Sequence, residues 1–191
     1  MRLALVVLGV LGATAHADEL RPDGLPRRAI GVALGMHAFD DGHAEGGGIG
    51  ATLELAAGTG GRWQVFTEAE VGWDPIKVGD AGHLAAFGVR LDGGIRAQLR
   101  TWKKDEVAFD LVVDAIAGVG AIAWRGDGLV RPEVGAGIGW HVRKPDTGFT
   151  IRIDTRMVLS PVVAVEDAAA KPGALRDGSA LGFQGVFGVS W

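Results

Sequence analysis

Apolar and polar residues alternate along most of this chain with a period of two, and almost no stretch carries the spacing of an amphipathic helix. Successive side chains of a strand point to opposite faces, so each alternating stretch is predicted as a strand with one apolar and one polar face. Residues 84–100 are the clearest. There Phe87, Val89, Leu91, Ile95, Ala97 and Leu99 interleave with Arg90, Asp92, Arg96, Gln98 and Arg100. Residues 148–159 repeat the pattern, with Phe149, Ile151, Ile153 and Met157 against Thr150, Arg152, Asp154 and Arg156. Residues 107–122 set Phe109, Leu111 and Val113 against Asp110 and Asp114, and residues 129–142 set Val134, Ile138 and Trp140 against Arg131, Glu133 and His141. In residues 62–73, Trp63, Val65, Val71 and Trp73 oppose Gln64, Glu68 and Glu70. Three further segments complete the set. Residues 29–39 place Ile30, Val32, Leu34 and Met36 opposite Gly31, Ala33, Gly35 and His37; residues 48–57 place Ile49, Leu53 and Leu55 opposite Thr52 and Glu54; residues 180–191 place Leu181, Phe183, Phe187, Val189 and Trp191 opposite Gln184 and Ser190.

The connections between these eight segments alternate in length. Residues 58–61, 101–106 and 143–147 are short, whereas 40–47, 74–83 and 160–179 are longer; only 123–128 breaks the contrast. Short turns at one rim and longer loops at the other are the layout of an antiparallel barrel that crosses an outer membrane. The longest connection, 160–179, is expected to face outside the cell. The fold class expected is therefore all-β: an eight-stranded antiparallel up-and-down transmembrane barrel. A soluble exported barrel of lipocalin-like or avidin-like kind would show the same alternation with its apolar face turned inward.

Three features favour an apolar face turned outward. The five lysines, Lys77, Lys103, Lys104, Lys144 and Lys171, fall in the expected turns and loops, whereas a water-facing sheet uses Lys freely. The charges inside the strands are Arg, Asp and Glu in near balance: Arg90, Arg96, Arg131, Arg152 and Arg156 with Glu54, Glu68, Glu70, Asp92, Asp110, Asp114, Glu133 and Asp154. An enclosed unpaired charge is costly, so such a set implies a lumen charge network. The six Trp lie at or near strand ends. Trp63, Trp102, Trp140 and Trp191 map to the short-turn rim and Trp73 and Trp124 to the loop rim, as two interfacial aromatic girdles would require. Trp63, Trp73, Trp140 and Trp191 are the expected membrane-interface aromatics. Tyr is absent, so Trp and Phe would form the girdles.

The beginning of the chain has the layout of a signal peptide. Arg2 is followed by an apolar stretch from Leu3 to Leu11, then by the small-x-small triplet Ala15-His16-Ala17 before Asp18 and Glu19. Cleavage is expected after Ala17. The chain then divides into a signal peptide (1–17), a short periplasmic segment (18–28) and the barrel (29–191). Composition sharpens this picture in two ways. Cysteine is absent, which removes disulfides, thiol nucleophiles and Cys-based metal sites together. The net charge of −4, made one more negative by loss of Arg2, offers nothing to nucleic acid.

Residues 29–191 resemble the small eight-stranded outer-membrane barrels of the OmpA and OmpX type. The most specific piece is the ending, from Leu181 to Trp191, which alternates apolar residues and stops on an aromatic carboxy-terminus. The resemblance implies that this ending is read by the barrel-assembly machinery, with Trp191 where Phe is more usual. It also implies an outer-membrane location in a Gram-negative cell, contact with outer-membrane lipids and lipopolysaccharide, a surface partner at the loops, and no cofactor. A barrel-only member, without the peptidoglycan-binding domain of OmpA, is therefore expected.

Candidate chemistry is sparse. His37, Asp40, Asp41, His43 and Glu45 cluster around the first loop and offer metal-type ligands without a fixed spacing. A lipid-modifying enzyme similar to lipid A deacylase would need a Ser–His pair, and here His141 and Ser190 share the short-turn rim while Ser160 and Ser179 lie at the other. The run Gly135-Ala136-Gly137-Ile138-Gly139 lacks the helix of a phosphate cradle and is expected to leave room for large side chains on a neighbouring strand. The expected function is a non-enzymatic membrane-integrity or surface-interaction barrel. The alternatives are a narrow pore through the charged lumen and a lipid-modifying enzyme.

Overall fold

The computed structural model describes residues 28–39, 44–60, 62–78, 82–124, 127–160 and 180–191. The expected leader, residues 18–27 of the expected periplasmic segment, and the loop 160–179 apart from Ser160 lie outside the described residues. Ten strands form one antiparallel sheet: β1 (Arg28–Phe39), β2 (Ala44–Gly60), β3 (Trp63–Trp73), β4 (Ile76–Val78), β5 (Gly82–Leu84), β6 (Ala86–Lys104), β7 (Val107–Trp124), β8 (Asp127–Lys144), β9 (Phe149–Ser160) and β10 (Ala180–Ser190). Strand β1 pairs with both β10 and β2, which closes eight of the strands into a barrel in up-and-down order. The closing seam is held at one end by reciprocal backbone bonds of 3.1 and 3.0 Å between Arg28 and Trp191. Arg28, placed by the sequence in the periplasmic segment, belongs to β1 and so to the barrel wall. The two short strands β4 and β5 are a hairpin that extends β2 at the loop rim, through Ala44↔Val78 and Glu45↔Lys77.

The strands are longer than the alternating patterns suggested. Strands β6, β7 and β8 run for 19, 18 and 18 residues. The expected connection 123–128 is largely strand, with pairing up to Trp124↔Asp127. Four of the five lysines sit on strand residues after all: Lys103, Lys104 and Lys144 at strand ends and Lys77 on β4. Pairing continues there to Lys104↔Val107 and Lys144↔Phe149 because the ladder keeps satisfying backbone groups beyond the apolar zone. The turn between β6 and β7 is then only Asp105 and Glu106, with Asp105 at φ 54°, a left-handed conformation that Asp tolerates.

One irregularity reverses an assignment. A bulge in β6 between Gln98 and Arg100 skips Leu99, so Gln98 pairs with Val112 and Arg100 with Leu111. An extra residue exchanges the two faces beyond it. Arg100, expected beside Gln98 on the polar face, therefore turns outward, Thr101 turns inward, and Trp102 joins the outer face.

Candidate functional site

Strand β9 shows the partition most cleanly: every second side chain from Thr150 to Ser160 is buried and every other one exposed. The buried set points into the barrel. All thirteen charged residues named from the alternation point there too, and they fall into three groups along the axis.

The middle group is the densest. Arg96 donates from Nη1 and Nη2 to the two oxygens of Glu54, both at 2.8 Å. Arg152 donates to Glu54 Oε2 at 2.9 Å and to Asp154 Oδ2 at 2.7 Å. Nε2 of His141 lies 2.9 Å from Asp154 Oδ1. Arg156 donates to Glu68 Oε1 at 2.6 Å and to Asp114 Oδ2 at 3.0 Å, and Asp114 also lies 3.7 Å from Arg96. The chain of contacts thus runs unbroken from His141 to Glu68. Charges removed from water are tolerable only when paired in this way. The Phe66 ring sits among them, with the guanidinium carbons of Arg96 and Arg156 at 4.5 and 5.5 Å from its centre.

The group near the loop rim is looser. Arg90 donates to Glu133 at 2.7 Å and lies 3.4 Å from Glu70 and 3.2 Å from Asp92. Arg131 donates to the other oxygen of Glu133 at 2.9 Å, and Gln184 donates to Glu70 at 2.5 Å. His37 and Asp74 stand 3.8 Å apart above this group. A cavity of about 80 Å³ opens among these side chains, bordered by the small inward glycines Gly35, Gly72, Gly88, Gly120 and Gly182. Near the short-turn rim, Asp110 accepts from Gln98 at 2.7 Å, Thr101 at 2.6 Å and Arg143 at 3.1 Å.

His141, Gln64, Phe66, Thr101 and Arg143 belong to the interior but were not singled out as members. Parity could have found Gln64, Phe66 and His141, which alternate in step with Glu68 and Glu133. Thr101 could not be found that way, because it faces inward only through the bulge. Gly137 shows why the glycine run on β8 is small: a Cβ there would stand 2.6 Å from Arg156 Cγ and from Asp114 Oδ1.

The outer surface is apolar. Ile30, Leu53, Val65, Ile95, Ile138, Ile151 and Phe187 are among the exposed large hydrophobic residues, and Trp63, Trp73, Trp140 and Trp191 are exposed with them. Strand β3 carries Trp63 and Trp73 at its two ends, each 55% exposed.

Among the described residues neither a Ser–His hydrogen bond nor a three-ligand metal cluster is present. No hydrogen bond joins His141 to Ser190 among the described residues: Ser190 Oγ and His141 Nδ1 are each buried without one, and Nε2 of His141 faces Asp154. Ser160 is buried at the opposite rim. Of the loop cluster, Asp40, Asp41 and His43 lie outside the described residues, and among the described residues no three His, Asp or Glu side chains converge on a metal position.

A closed eight-stranded antiparallel barrel, charged within and apolar without, is the architecture of the small outer-membrane barrels. Neisserial surface protein A matches at 9% identity with a TM-score of 0.55, over 87% of this chain and 96% of its own. Ail, the attachment invasion locus protein of Yersinia pestis, matches at 11% identity with a TM-score of 0.41, over 86% and 95%. No family model and no curated protein sequence matches the chain.

Proposed function

We propose that this chain is an exported, non-enzymatic barrel of a Gram-negative outer membrane, acting in membrane integrity or surface interaction. The observation that carries the reading is the outward belt between two levels of exposed Trp. Strand β3 spans 11 residues from Trp63 to Trp73; at ~3.4 Å per residue and a tilt of ~40°, that is roughly 25 Å along the barrel axis, the height of the apolar band of an outer-membrane barrel. In water such a belt would be one continuous aggregation surface. In a bilayer it is solvated by acyl chains, and the indoles sit at the two interfaces. The filled interior then acts as a plug that stiffens the wall, and the loop rim is the part free to meet a partner. The Neisserial structure bears the name of a surface protein, in keeping with that use. Outer-membrane lipids and lipopolysaccharide are the immediate surroundings, and the segment ending in Trp191 is the part offered to the barrel-assembly machinery.

The test is cell fractionation with gel mobility. The protein should sediment with outer membranes and migrate faster when left unheated, because a closed barrel resists detergent unfolding. Recovery as a soluble periplasmic protein would falsify the reading. The narrow-pore alternative requires Arg96, Arg152 and Arg156 to part from their carboxylates, and ion conductance in planar bilayers would favour it.

A further inference from the structure

We propose that the outward face of β3 and β6 near the short-turn rim binds the headgroup of an anionic glycerophospholipid through Arg62 and Arg100. The inference rests on the membrane reading above and goes beyond it. The bulge in β6 is the device. By exchanging faces at Leu99 it delivers Arg100 to the outside, where its guanidinium lies 5.1 Å from the centre of the Trp102 ring. Trp102 is itself stacked on Trp140, with centroids 5.6 Å apart. Arg62, in the turn before β3, is tied to the same bulge. Its carbonyl accepts from Gln98 N at 2.9 Å, and its Nη1 donates to Leu99 O at 3.4 Å.

Both side chains are exposed, and neither has a carboxylate within ion-pair distance among the described residues. The interior arginines contrast with them: Arg90, Arg96, Arg152 and Arg156 each hold at least one carboxylate. The Arg100 guanidinium over Trp102 and the exposed Arg62 held to the same bulge stand at the short-turn rim, the level where headgroup phosphates lie, and a fork matches phosphate oxygens two at a time. Apolar stems and indole rings below the charges suit the glycerol and upper acyl region of the same molecule. The complementarity selects a headgroup of net negative charge, since a choline ammonium would be repelled by the second arginine.

The full chain, folded in detergent, is offered phosphatidylglycerol or phosphatidylcholine, and retained lipid is counted by native mass spectrometry. Phosphatidylglycerol should be retained in preference by roughly tenfold, given the contribution of each basic residue near an anionic surface. The double variant Arg62→Gln, Arg100→Gln should lose the preference while keeping its heat-modifiable migration, and Arg100→Lys should keep part of it. Equal retention of both lipids by the folded protein, or an unchanged preference in the double variant, overturns the proposal. Should the double variant not fold, brominated lipids decide on the unaltered chain: phosphatidylglycerol should quench its Trp emission more than phosphatidylcholine, and equal quenching sinks the site. A chain that never enters bilayers overturns the membrane reading itself, a different result from a folded barrel without lipid preference.

Discussion

Strand β6 carries Arg90 and Arg96 on the same inward face, and the two arginines live in different chemistry. Arg96 is 1% exposed, gripped by Glu54 through two 2.8 Å bonds and backed by the Phe66 ring. Arg90 is 17% exposed, borders the cavity at the loop rim, and shares itself among Glu70, Asp92 and Glu133. The middle of the lumen thus behaves as a solid held by charge-assisted bonds, and its loop end as a partly hydrated vestibule. Sequence alternation cannot tell them apart, because both present Arg opposite Asp or Glu. The surrounding residues make the difference. Phe66, Ile116 and Val158 fill the middle, while glycines leave space at the loop end.

The largest expected effect breaks the middle. Arg96→Ala strips Glu54 of its bidentate partner in a place water does not reach, and should cost about 3–5 kcal/mol in denaturant unfolding from bilayers. Adding Glu54→Gln to Arg96→Met should recover more than half of the loss, since a neutral, well-filled pair avoids the stranded charge. Additive losses in the double variant would mean that the pair is not a unit.

The next effect moves an arginine one residue along β6. Leu91 follows Arg90 but points outward, between Ala69 and Val119 on the neighbouring strands. Leu91→Arg should cost ~2–4 kcal/mol near the bilayer midplane. Gln98→Arg, inward and beside Asp110, should cost less than half as much. Equal tolerance in a folding assay at both positions would mean that the two faces have been exchanged.

That contrast also marks how far the sequence could be read. The alternation in residues 86–97 and 149–160 sets the faces correctly because most inward positions there are charged, small or hydroxylated and most outward ones apolar, with buried Val158 and exposed Thr155 as the departures. It fails at Leu99, where nothing local announces the bulge. Leu99 and Arg100 read as a continuation of the pattern, and only the cross-strand register Gln98↔Val112, Arg100↔Leu111 reveals the slip. Strand ends were missed for a related reason. Lys103, Lys104 and Lys144 lack the apolar partner that marks a membrane strand, yet the backbone ladder needs no such partner. The individual ion pairs were beyond sequence. Arg156 with Glu68 joins residues on strands that are not neighbours, across the barrel interior.

A smaller effect sharpens the vestibule. Arg90→Ala removes the same charge as Arg96→Ala, but two of the three carboxylates left behind, Glu70 and Glu133, border the cavity at the loop rim. The loss should be about 1–2 kcal/mol, less than half that at Arg96. Equal losses for the two alanine variants would remove the distinction between the two regions.

The smallest effect lies at the outer lip of the vestibule, beyond the end of β3. Burial raises the Asp74 carboxyl to about 6 from 3.8, against the pull of Arg131 and Arg90 and with the help of Glu133. A carboxyl that holds its proton more tightly in the folded state is no burden at pH below 3.8, where both states are protonated. As pH rises from there, the unfolded chain releases its proton first and stability falls. The fall is complete once pH has passed about 6 and the folded carboxyl is ionised too. Asp74→Asn is neutral throughout, so the difference in unfolding free energy between the two proteins should widen across that window and stay level on either side. About a fifth of the Asp74 side chain is exposed, which lets water screen the ionised form, so the total change should be about 1 kcal/mol or less. A flat difference curve would show that Asp74 is fully hydrated, and the vestibule would then begin deeper, at Glu70 and Arg90.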